Sequence, residues 1–329
     1  MAFRSRRRWI LALSTLAVTI VAAELTLRLA FGLGTPVRAV LDPEIEYLLA
    51  PNQDVRRFGC RTITNDVGMR SRPISATRTD PNERRILVIG DSVVNGGAVT
   101  DHEALATTIA ERSLQEAWGR PVFVGNISAG SWGPPNQEAY LRRFGWFDAD
   151  LVILVLSSTD AADDRSPPPR TRAPLPTEAP WSALGELVSR YLLPRLSRND
   201  EPAPASADRL DEPEAVLSCR TALSAMLETA ASRGIPVVVL QHWELPELEA
   251  GSARPGHDLI AVTVDEHHVP RHDLREWLPK SSEPRIFFRD HIHLSNEGQA
   301  VLAHALTEIA LKAFSTSSEA PSQHKVPKS

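Results

Sequence analysis

The sequence predicts an α/β protein in which a parallel sheet lies between two layers of helices. Short branched apolar runs alternate with helical segments from residue 84 to residue 314. The run at residues 151–156 is so uniformly apolar that both of its faces must be covered. Because parallel strands need crossover connections, this alternation predicts helices on both faces of the sheet.

The chain begins with an apolar segment that predicts a transmembrane anchor within residues 1–34. Residues 9–31 form a stretch of 23 residues, or roughly 35 Å of helix, which exceeds a bilayer core of about 30 Å. Glu24 and Arg28 can pair on one helix face at the outer interface. A preceding arginine cluster predicts a cytoplasmic start and a periplasmic, extracytoplasmic location for the rest of this single-pass cell-membrane protein.

Two other interpretations of the N-terminal segment remain open. Val21, Ala22 and Ala23 offer a cleavage position for a signal peptide. Residues 5–10 loosely resemble a twin-arginine export signal. In either case the domain that follows is exported.

A turn-rich segment separates the N-terminal helix from the main domain, in which strands and helices alternate as the fold class requires. Residues 35–83 are rich in turns, carry a short strand at 61–64, and are interpreted as a stalk with a small elaboration. The main domain, residues 84–314, follows with strands at 84–89, 121–126 and 151–156 and helices at 102–118 and 134–144. Prolines at the start of the second helix favour helix entry there.

A proline-rich insertion at residues 161–213 interrupts the alternation. It is interpreted either as a cap over the carboxyl edge of the sheet or as a surface linker. Its amphipathic stripe at 181–193 is expected to be packing surface. The remaining predicted elements are a helix at 214–233, strands at 235–240 and 259–264, a helix from Ser295 or Asn296 to Phe314, and a disordered tail at 315–329.

Charge and cysteine content restrict the function further. The net charge of −5 and the sequence pI of about 6.1 give no broad basic surface, so no nucleic-acid partner is expected. Cys60 and Cys219 lie in the exported part, where a disulfide could persist, and two separate thiols are the alternative.

Three polar residues at predicted strand ends point to nucleophilic catalysis. Ser92 follows the first core strand, and Asp290 and His293 lie before the last helix, so all three are expected at one edge of the sheet. A serine needs a base, and a histidine base needs a partner that fixes its tautomer. Backbone N–H groups of Ser92 and Gly130 could stabilise the developing oxyanion.

These residues resemble the sequence blocks of the SGNH/GDSL hydrolases. Gly90-Asp91-Ser92, the glycine Gly130, and Asp290 with His293 stand in the family's order, and the stretch from Asn65 to Arg70 is similar to one in membrane-anchored bacterial members. The resemblance covers about residues 84 to 312 and implies a flavodoxin-like three-layer fold. By resemblance Ser92 is the nucleophile, His293 the base, Asp290 its orienting acid and Gly130 an oxyanion donor.

One block departs from the family pattern. The family's Gly-x-Asn-Asp falls on residues 157–160, which places Thr159 where an oxyanion-hole asparagine is expected. The resemblance implies a cofactor-free serine esterase that acts on an acyl ester, with O-acyl groups of envelope polysaccharide as the hypothesis for its substrate. The alternatives are an O-acyltransferase using the same residues and a non-catalytic glycan-binding or assembly protein.

A metal site was the remaining alternative. Asp290, His291 and His293, or His267 with His268, have side chains that suit zinc or manganese. No second ligand set with a recognisable spacing accompanies them, so no metal is expected. Arg70 and Trp132 are expected to have structural roles.

Overall fold

A five-stranded parallel sheet forms the centre of the protein. The computed structural model describes residues 2–165, 175–196, 209–280 and 283–318. The strands are β1 (Ala39–Asp42), β2 (Glu46–Leu49), β3 (Asp54–Arg57), β4 (Cys60–Ile63), β5 (Arg84–Gly90), β6 (Val122–Ser128), β7 (Leu151–Ser157), β8 (Val237–His242) and β9 (Arg271–Asp273). The central sheet has the order β6-β5-β7-β8-β9, with all neighbours parallel. This is the predicted flavodoxin-like order, in which the strand order reverses beside β5.

Helices cover both faces of this sheet. Their bounds are α1 (Ala2–Phe31), α2 (Ser92–Asn95), α3 (Ala106–Trp118), α4 (Pro134–Phe144), α5 (Ala183–Glu186), α6 (Leu193–Leu196), α7 (Pro213–Ser232), α8 (Leu245–Ala250), α9 (Pro255–Glu266) and α10 (Asn296–Ser318). Leu87 and Ile89 of β5 join the apolar cluster of α4, α7 and α9. Ile86 and Val88 face the cluster of α3 and α10, as the alternation of strand side chains requires.

The first helix is the only part of the described chain that is long and apolar enough to cross a membrane. The qualifying stretch is Arg6–Phe31, and none of its most apolar window is buried in the protein. Glu24 and Arg28 form the predicted ion pair, with 2.6 Å between Oε1 and Nε. Two antiparallel hairpins, β1 with β2 and β3 with β4, follow this helix.

The predicted strand at residues 259–264 is wrong, because this stretch lies in α9. Its buried residues recur at helical spacing, at Ile260, Thr263 and Val264, while Leu259 and Val262 are exposed. A short apolar run does not by itself distinguish a strand from a helix. The fifth strand is β9, three residues long and polar, which leaves no apolar pattern in the sequence.

The two cysteines are not bridged. Cys60 has a free thiol that donates to the Val99 carbonyl, and Cys219 is a free, buried thiol in α7. The disulfide considered from the sequence therefore does not form in this structure.

Parts of the insertion and of the tail lie outside the described residues. The predicted insertion spans residues 161–213, of which 166–174 and 197–208 are not described, and of the predicted disordered tail at 315–329 residues 319–329 are not described. The described segment at 181–196 packs against the end of α1. The last helix continues past the predicted Phe314 to Ser318.

Candidate active site

Ser92 lies at the carboxyl end of β5, at the point where the strand order reverses. It begins α2 and is half-buried. Asp91 caps this short helix, since its side chain accepts a hydrogen bond from the Val93 N–H at 2.8 Å. A Cβ on Gly90 would lie 2.9 Å from the Val155 carbonyl oxygen and 2.6 Å from a Val94 methyl carbon. The glycine therefore allows the turn to pack closely against the neighbouring strand.

Asp290, His293 and Ser92 form one continuous hydrogen-bonded chain. His293 Nε2 is 2.9 Å from Ser92 Oγ, and His293 Nδ1 is 2.7 Å from Asp290 Oδ2. The other carboxylate oxygen of Asp290 accepts from the backbone N–H groups of Ile292 and His293. The loop thus folds the carboxylate back onto the ring, and the structure brings together all three residues that the sequence predicts.

The hydrogen bonds within this loop keep Asp290 ionised. Partial burial raises the pKa of its carboxyl, but the bonds from the His293 N–H, the His293 ring and the Ile292 N–H lower it, so that the pKa is about 2. A carboxylate facing Nδ1 favours the tautomer in which that nitrogen carries the proton. Nε2 is then left as the acceptor facing Ser92, which is the arrangement that a general base needs.

Two further carboxyls are buried beside Ser92. Burial raises the pKa of Asp91, although its hydrogen bond from the Val93 N–H acts in the opposite direction. Burial and the nearby charge of Asp91 raise the pKa of Asp160 well above its usual range. Asp160 Oδ2 accepts bonds from the backbone N–H and the hydroxyl of Ser157, so it fixes the turn after β7.

Gly130 follows β6 and is held by a tyrosine from the first hairpin. The hydroxyl of Tyr47 donates to the Gly130 carbonyl, and the Trp132 indole N–H donates to the Tyr47 carbonyl at 2.9 Å. Trp132 is almost completely buried, which agrees with the structural role expected for it. The hairpin therefore supports the loop that carries the predicted oxyanion donor.

The hydroxyl of Thr159 is hydrogen-bonded to the hydroxyl of Ser157. Its Oγ1 lies 2.8 Å from Ser157 Oγ, and Ser157 Oγ donates its own proton to Asp160 at 3.0 Å. A serine hydroxyl has one proton, so while Asp160 is ionised Ser157 accepts from Thr159. The only side-chain donor at the position of the family asparagine is therefore directed at Ser157.

Arg70 fixes the loop that follows Ser92. Its guanidinium is buried and donates to the carbonyl oxygens of Asn95 at 2.6 Å, Gly97 at 2.8 Å and Thr100 at 3.1 Å. Burial lowers the pKa of Arg70 to about 10, which still leaves it charged at neutral pH. The structural role expected from the sequence is confirmed by these contacts.

His242 is a supporting residue that the sequence did not reveal. Its Nε2 lies 2.9 Å from the carbonyl oxygen of Ile292, the residue before His293, and Leu245 N–H donates to His291. Burial lowers the pKa of His242 to about 4, so its ring is neutral at neutral pH and carries its proton on Nε2. The residue ends an apolar run, and no pattern in the sequence distinguishes it from a core position.

His242 is expected to make the stability of the protein depend on pH between about 6.5 and 4. The folded pKa of about 4 lies below the ordinary 6.5, so in this range the unfolded chain binds the proton more readily and acidification destabilises the folded state. His242→Phe should therefore show a smaller fall in Tm on acidification than the unchanged chain, measured in detergent by differential scanning fluorimetry.

The exposed His304 provides a matched control for this measurement. His304→Phe should follow the pH dependence of the unchanged chain. An equally steep fall in Tm for His242→Phe would show that the ring at 242 does not oppose protonation.

The side chains of His, Cys, Asp and Glu are the possible metal ligands within the ranges that the structure describes. There, no three side chains among His, Cys, Asp and Glu are grouped closely enough to hold a metal ion.

The flavodoxin-like sheet and a serine paired with a histidine and an aspartate at its carboxyl edge are features of the serine ester hydrolases. The sequence profile of the GDSL-like lipase/acylhydrolase family matches residues 88–301. This protein therefore belongs to that family, and it is an SGNH-type ester hydrolase.

Solved structures of several bacterial proteins are similar in fold. A protein of the G-D-S-L family from Desulfitobacterium hafniense is 12% identical with a TM-score of 0.41, over 68% of this chain and 98% of its own. An acetylxylan esterase from Geobacillus stearothermophilus is 12% identical with a TM-score of 0.42, over 68% and 93%. A lipase/acylhydrolase from Enterococcus faecalis is 16% identical with a TM-score of 0.43, over 70% and 96%. No curated protein matches the sequence.

Proposed function

We propose that this protein is a membrane-tethered extracytoplasmic esterase that uses Ser92, His293 and Asp290 in an acyl-enzyme mechanism. The observation that carries the proposal is the hydrogen-bonded chain from Asp290 Oδ2 through the His293 ring to Ser92 Oγ, with separations of 2.7 and 2.9 Å. Ester hydrolysis itself follows from the family. The roles of the three residues, the location and the substrate are parts of the proposal.

In the first half-reaction, His293 Nε2 takes the proton of Ser92 Oγ as this oxygen bonds to the ester carbonyl carbon. The tetrahedral intermediate collapses when its bond to the alcohol oxygen breaks, and His293 gives the proton to the departing alcohol. In the second half-reaction, water attacks the acyl carbon, His293 takes a proton from the water, and Ser92 regains its proton as the acid leaves. Asp290 accepts from Nδ1 throughout and stabilises the imidazolium.

The proposed oxyanion donors are the backbone N–H groups of Ser92 and Gly130, with Thr159 as the weak member. Two backbone donors are sufficient for oxyanion stabilisation in other serine hydrolases. The Thr159 hydroxyl would have to leave Ser157 in order to turn towards the substrate. We therefore assign the larger share of oxyanion stabilisation to the backbone.

Replacing Thr159 by valine is expected to lower kcat by less than about 10-fold, since loss of a working oxyanion donor costs roughly 100- to 1,000-fold. Thr159→Asn, which supplies the family's amide donor, should preserve or raise kcat. Both variants can be compared on p-nitrophenyl acetate, with Tm as a check of folding. A loss above 100-fold in a folded Thr159→Val protein would assign the hydroxyl a direct part in the reaction.

The proposed substrate is an O-acylated polysaccharide of the cell envelope. The apolar helix Arg6–Phe31 supports a tether that would hold the site beside the envelope. Release of acetate from O-acetylated xylan by the purified full chain tests this substrate class. Transfer of the acetyl group to an added glycan acceptor in place of acetate release would identify an acyltransferase.

The tether and its orientation require a separate test. The full chain should sediment with membranes in high salt, and protease added to spheroplasts should digest the domain while the inner membrane stays intact. Digestion only after lysis would place the domain in the cytoplasm and contradict the proposed location.

Labelling with a fluorophosphonate probe tests the assignment of the nucleophile. The full chain in detergent should be labelled at Ser92, and Ser92→Ala should not react. Ser252→Ala, which replaces an exposed serine, should label like the unchanged chain. Equal labelling of the Ser92→Ala protein, or no labelling of the unchanged chain, would remove Ser92 as the nucleophile and favour a non-catalytic envelope protein.

A further inference from the structure

The segment at residues 181–196 is fixed to the end of α1 by polar contacts. Glu24 accepts hydrogen bonds from the backbone N–H groups of Ala183 and Leu184 at 2.8 and 2.9 Å. Arg28 donates to the Trp181 carbonyl at 2.9 Å. The two charged residues near the end of the apolar helix therefore bind the segment instead of facing outward.

A buried ion pair fixes the same segment to the second hairpin. Arg57 Nη2 lies 2.7 Å from Glu186 Oε1, and both side chains are buried. The other carboxylate oxygen of Glu186 accepts from the Gly34 N–H. The position of the segment relative to α1 is thus set from two sides.

The outer face of this segment is apolar and exposed. Trp181 is 92% exposed and Leu196 is 83% exposed, and Val188, Leu192 and Leu193 are also exposed, while Ala183 and Glu186 on the inner face are buried. The expectation that this whole stripe is packing surface is therefore wrong for its outer half. In soluble proteins an exposed apolar patch of this kind marks a surface that binds another protein, a ligand or a membrane.

With α1 as the proposed tether, the length of this helix puts the patch at the edge of the bilayer. A hydrocarbon core of about 30 Å requires about 20 helical residues. Counted from Trp9, 20 residues end at Arg28, the residue that binds the Trp181 carbonyl. Trp181 therefore lies at the level where tryptophan and tyrosine are enriched in membrane proteins. Tyr191 and the partly exposed Phe58 pack edge to face, 6.0 Å apart, beside the same helix end.

We propose that residues 181–196 form an amphipathic element that lies in the interface of the bilayer crossed by α1. The exposed apolar side chains would contact acyl chains, and Arg190 and Arg195 would remain near the lipid phosphates, as is typical of interfacial helices. This inference rests on the proposed tether. It adds a second contact that fixes the orientation of the domain relative to the membrane.

Spin labels on the full chain test this contact. In a Cys60→Ser, Cys219→Ala background, single cysteines are introduced as Leu192→Cys, Leu196→Cys, Leu13→Cys in α1, and Ala117→Cys. Ala117 is an exposed residue in the last turn of α3, which runs to the edge of the sheet opposite Ser92. The proteins are reconstituted in vesicles of phosphatidylcholine and phosphatidylglycerol, and collision rates are measured with oxygen and with a water-soluble nickel complex.

We expect the ratio of oxygen to nickel collisions at positions 192 and 196 to be several-fold higher than at position 117 and to approach that at position 13. Ratios at 192 and 196 equal to that at 117, with a high ratio at 13, would overturn the inference and leave the tether intact. A low ratio at position 13 would overturn the tether and the inference together. Dipolar broadening at 192 or 196 that disappears on dilution with unlabelled protein would assign the patch to a second copy and also overturn the inference.

A second measurement leaves the protein unlabelled, because a spin label on the protein could disturb the segment. Doxyl-labelled phosphatidylcholine should quench less of the total tryptophan fluorescence in Trp181→Phe than in the unchanged chain. Trp277→Phe, at a half-buried residue after β9, should not reduce the quenched fraction. Equal quenched fractions in the unchanged chain and Trp181→Phe would contradict the proposed depth of Trp181.

Discussion

Replacing Asp290 by asparagine is expected to lower kcat for a short acyl ester by about 10⁴-fold. The asparagine oxygen can still accept from the Ile292 and His293 N–H groups, as Asp290 Oδ1 does. Its amide nitrogen then faces His293 Nδ1 as a donor, which forces the ring proton onto Nε2. A protonated Nε2 cannot accept the proton of Ser92, so the base is lost although the loop keeps its shape.

Steady-state kinetics with p-nitrophenyl acetate measures this effect, and Asp54→Asn is a suitable control. Asp54 is an exposed carboxylate that pairs with Arg61 outside the site, and its replacement should leave kcat within about twofold, because exposed ion pairs contribute little. A loss below 10-fold in Asp290→Asn would show that the aspartate does not set the tautomer of His293.

Replacing Arg70 by methionine is expected to lower the free energy of unfolding by about 3 kcal/mol or more and to reduce turnover strongly. The substitution removes the donors to the carbonyls of Asn95, Gly97 and Thr100. Each buried acceptor left without a partner costs roughly 1–3 kcal/mol. These carbonyls lie in the loop directly after Ser92, so the same change should displace Ser92 from His293.

Thermal unfolding in detergent and turnover of the same preparation measure both parts of this expectation. Arg112→Met is the matched control, because Arg112 is about half exposed and pairs with an exposed Glu103. That change should alter the free energy of unfolding by at most about 1 kcal/mol. An Arg70→Met protein as stable as Arg112→Met would show that the loop after Ser92 keeps its conformation without the Arg70 guanidinium.

The fold was predictable where apolar runs are long. The strands β5, β6, β7 and β8 and the helices α3, α4 and α7 lie within a few residues of their predicted positions, since both kinds of element bury apolar residues at a clear period. The edge strand β9 was not predictable, because a three-residue polar strand has no such period. The apolar run at residues 259–264 is short enough to fit either a strand or a helix, and this led to the wrong prediction of a strand in place of α9.

The arrangement of the candidate site was predictable in part. The topology of a parallel sheet brings Ser92 and the loop of Asp290 and His293 to one edge, and the distances follow that expectation. The engagement of Thr159 with Ser157 was not predictable, since it depends on which of several hydroxyls turns towards Asp160. The buried support from His242 depends on a contact across 50 positions of the chain. The catalytic roles themselves remain predictions.

Tyr47 and Arg70 belong to the segment between α1 and the central sheet, and they lie before the residues 88–301 that match the family. Tyr47 holds the Gly130 loop, and Arg70 holds the loop after Ser92. A chimera that joined the family-matched region to a foreign N-terminal segment would thus carry Ser92, Asp290 and His293 without the two residues that hold the neighbouring loops. The smallest part of this chain that can be exchanged between proteins as a working unit therefore begins at the first hairpin.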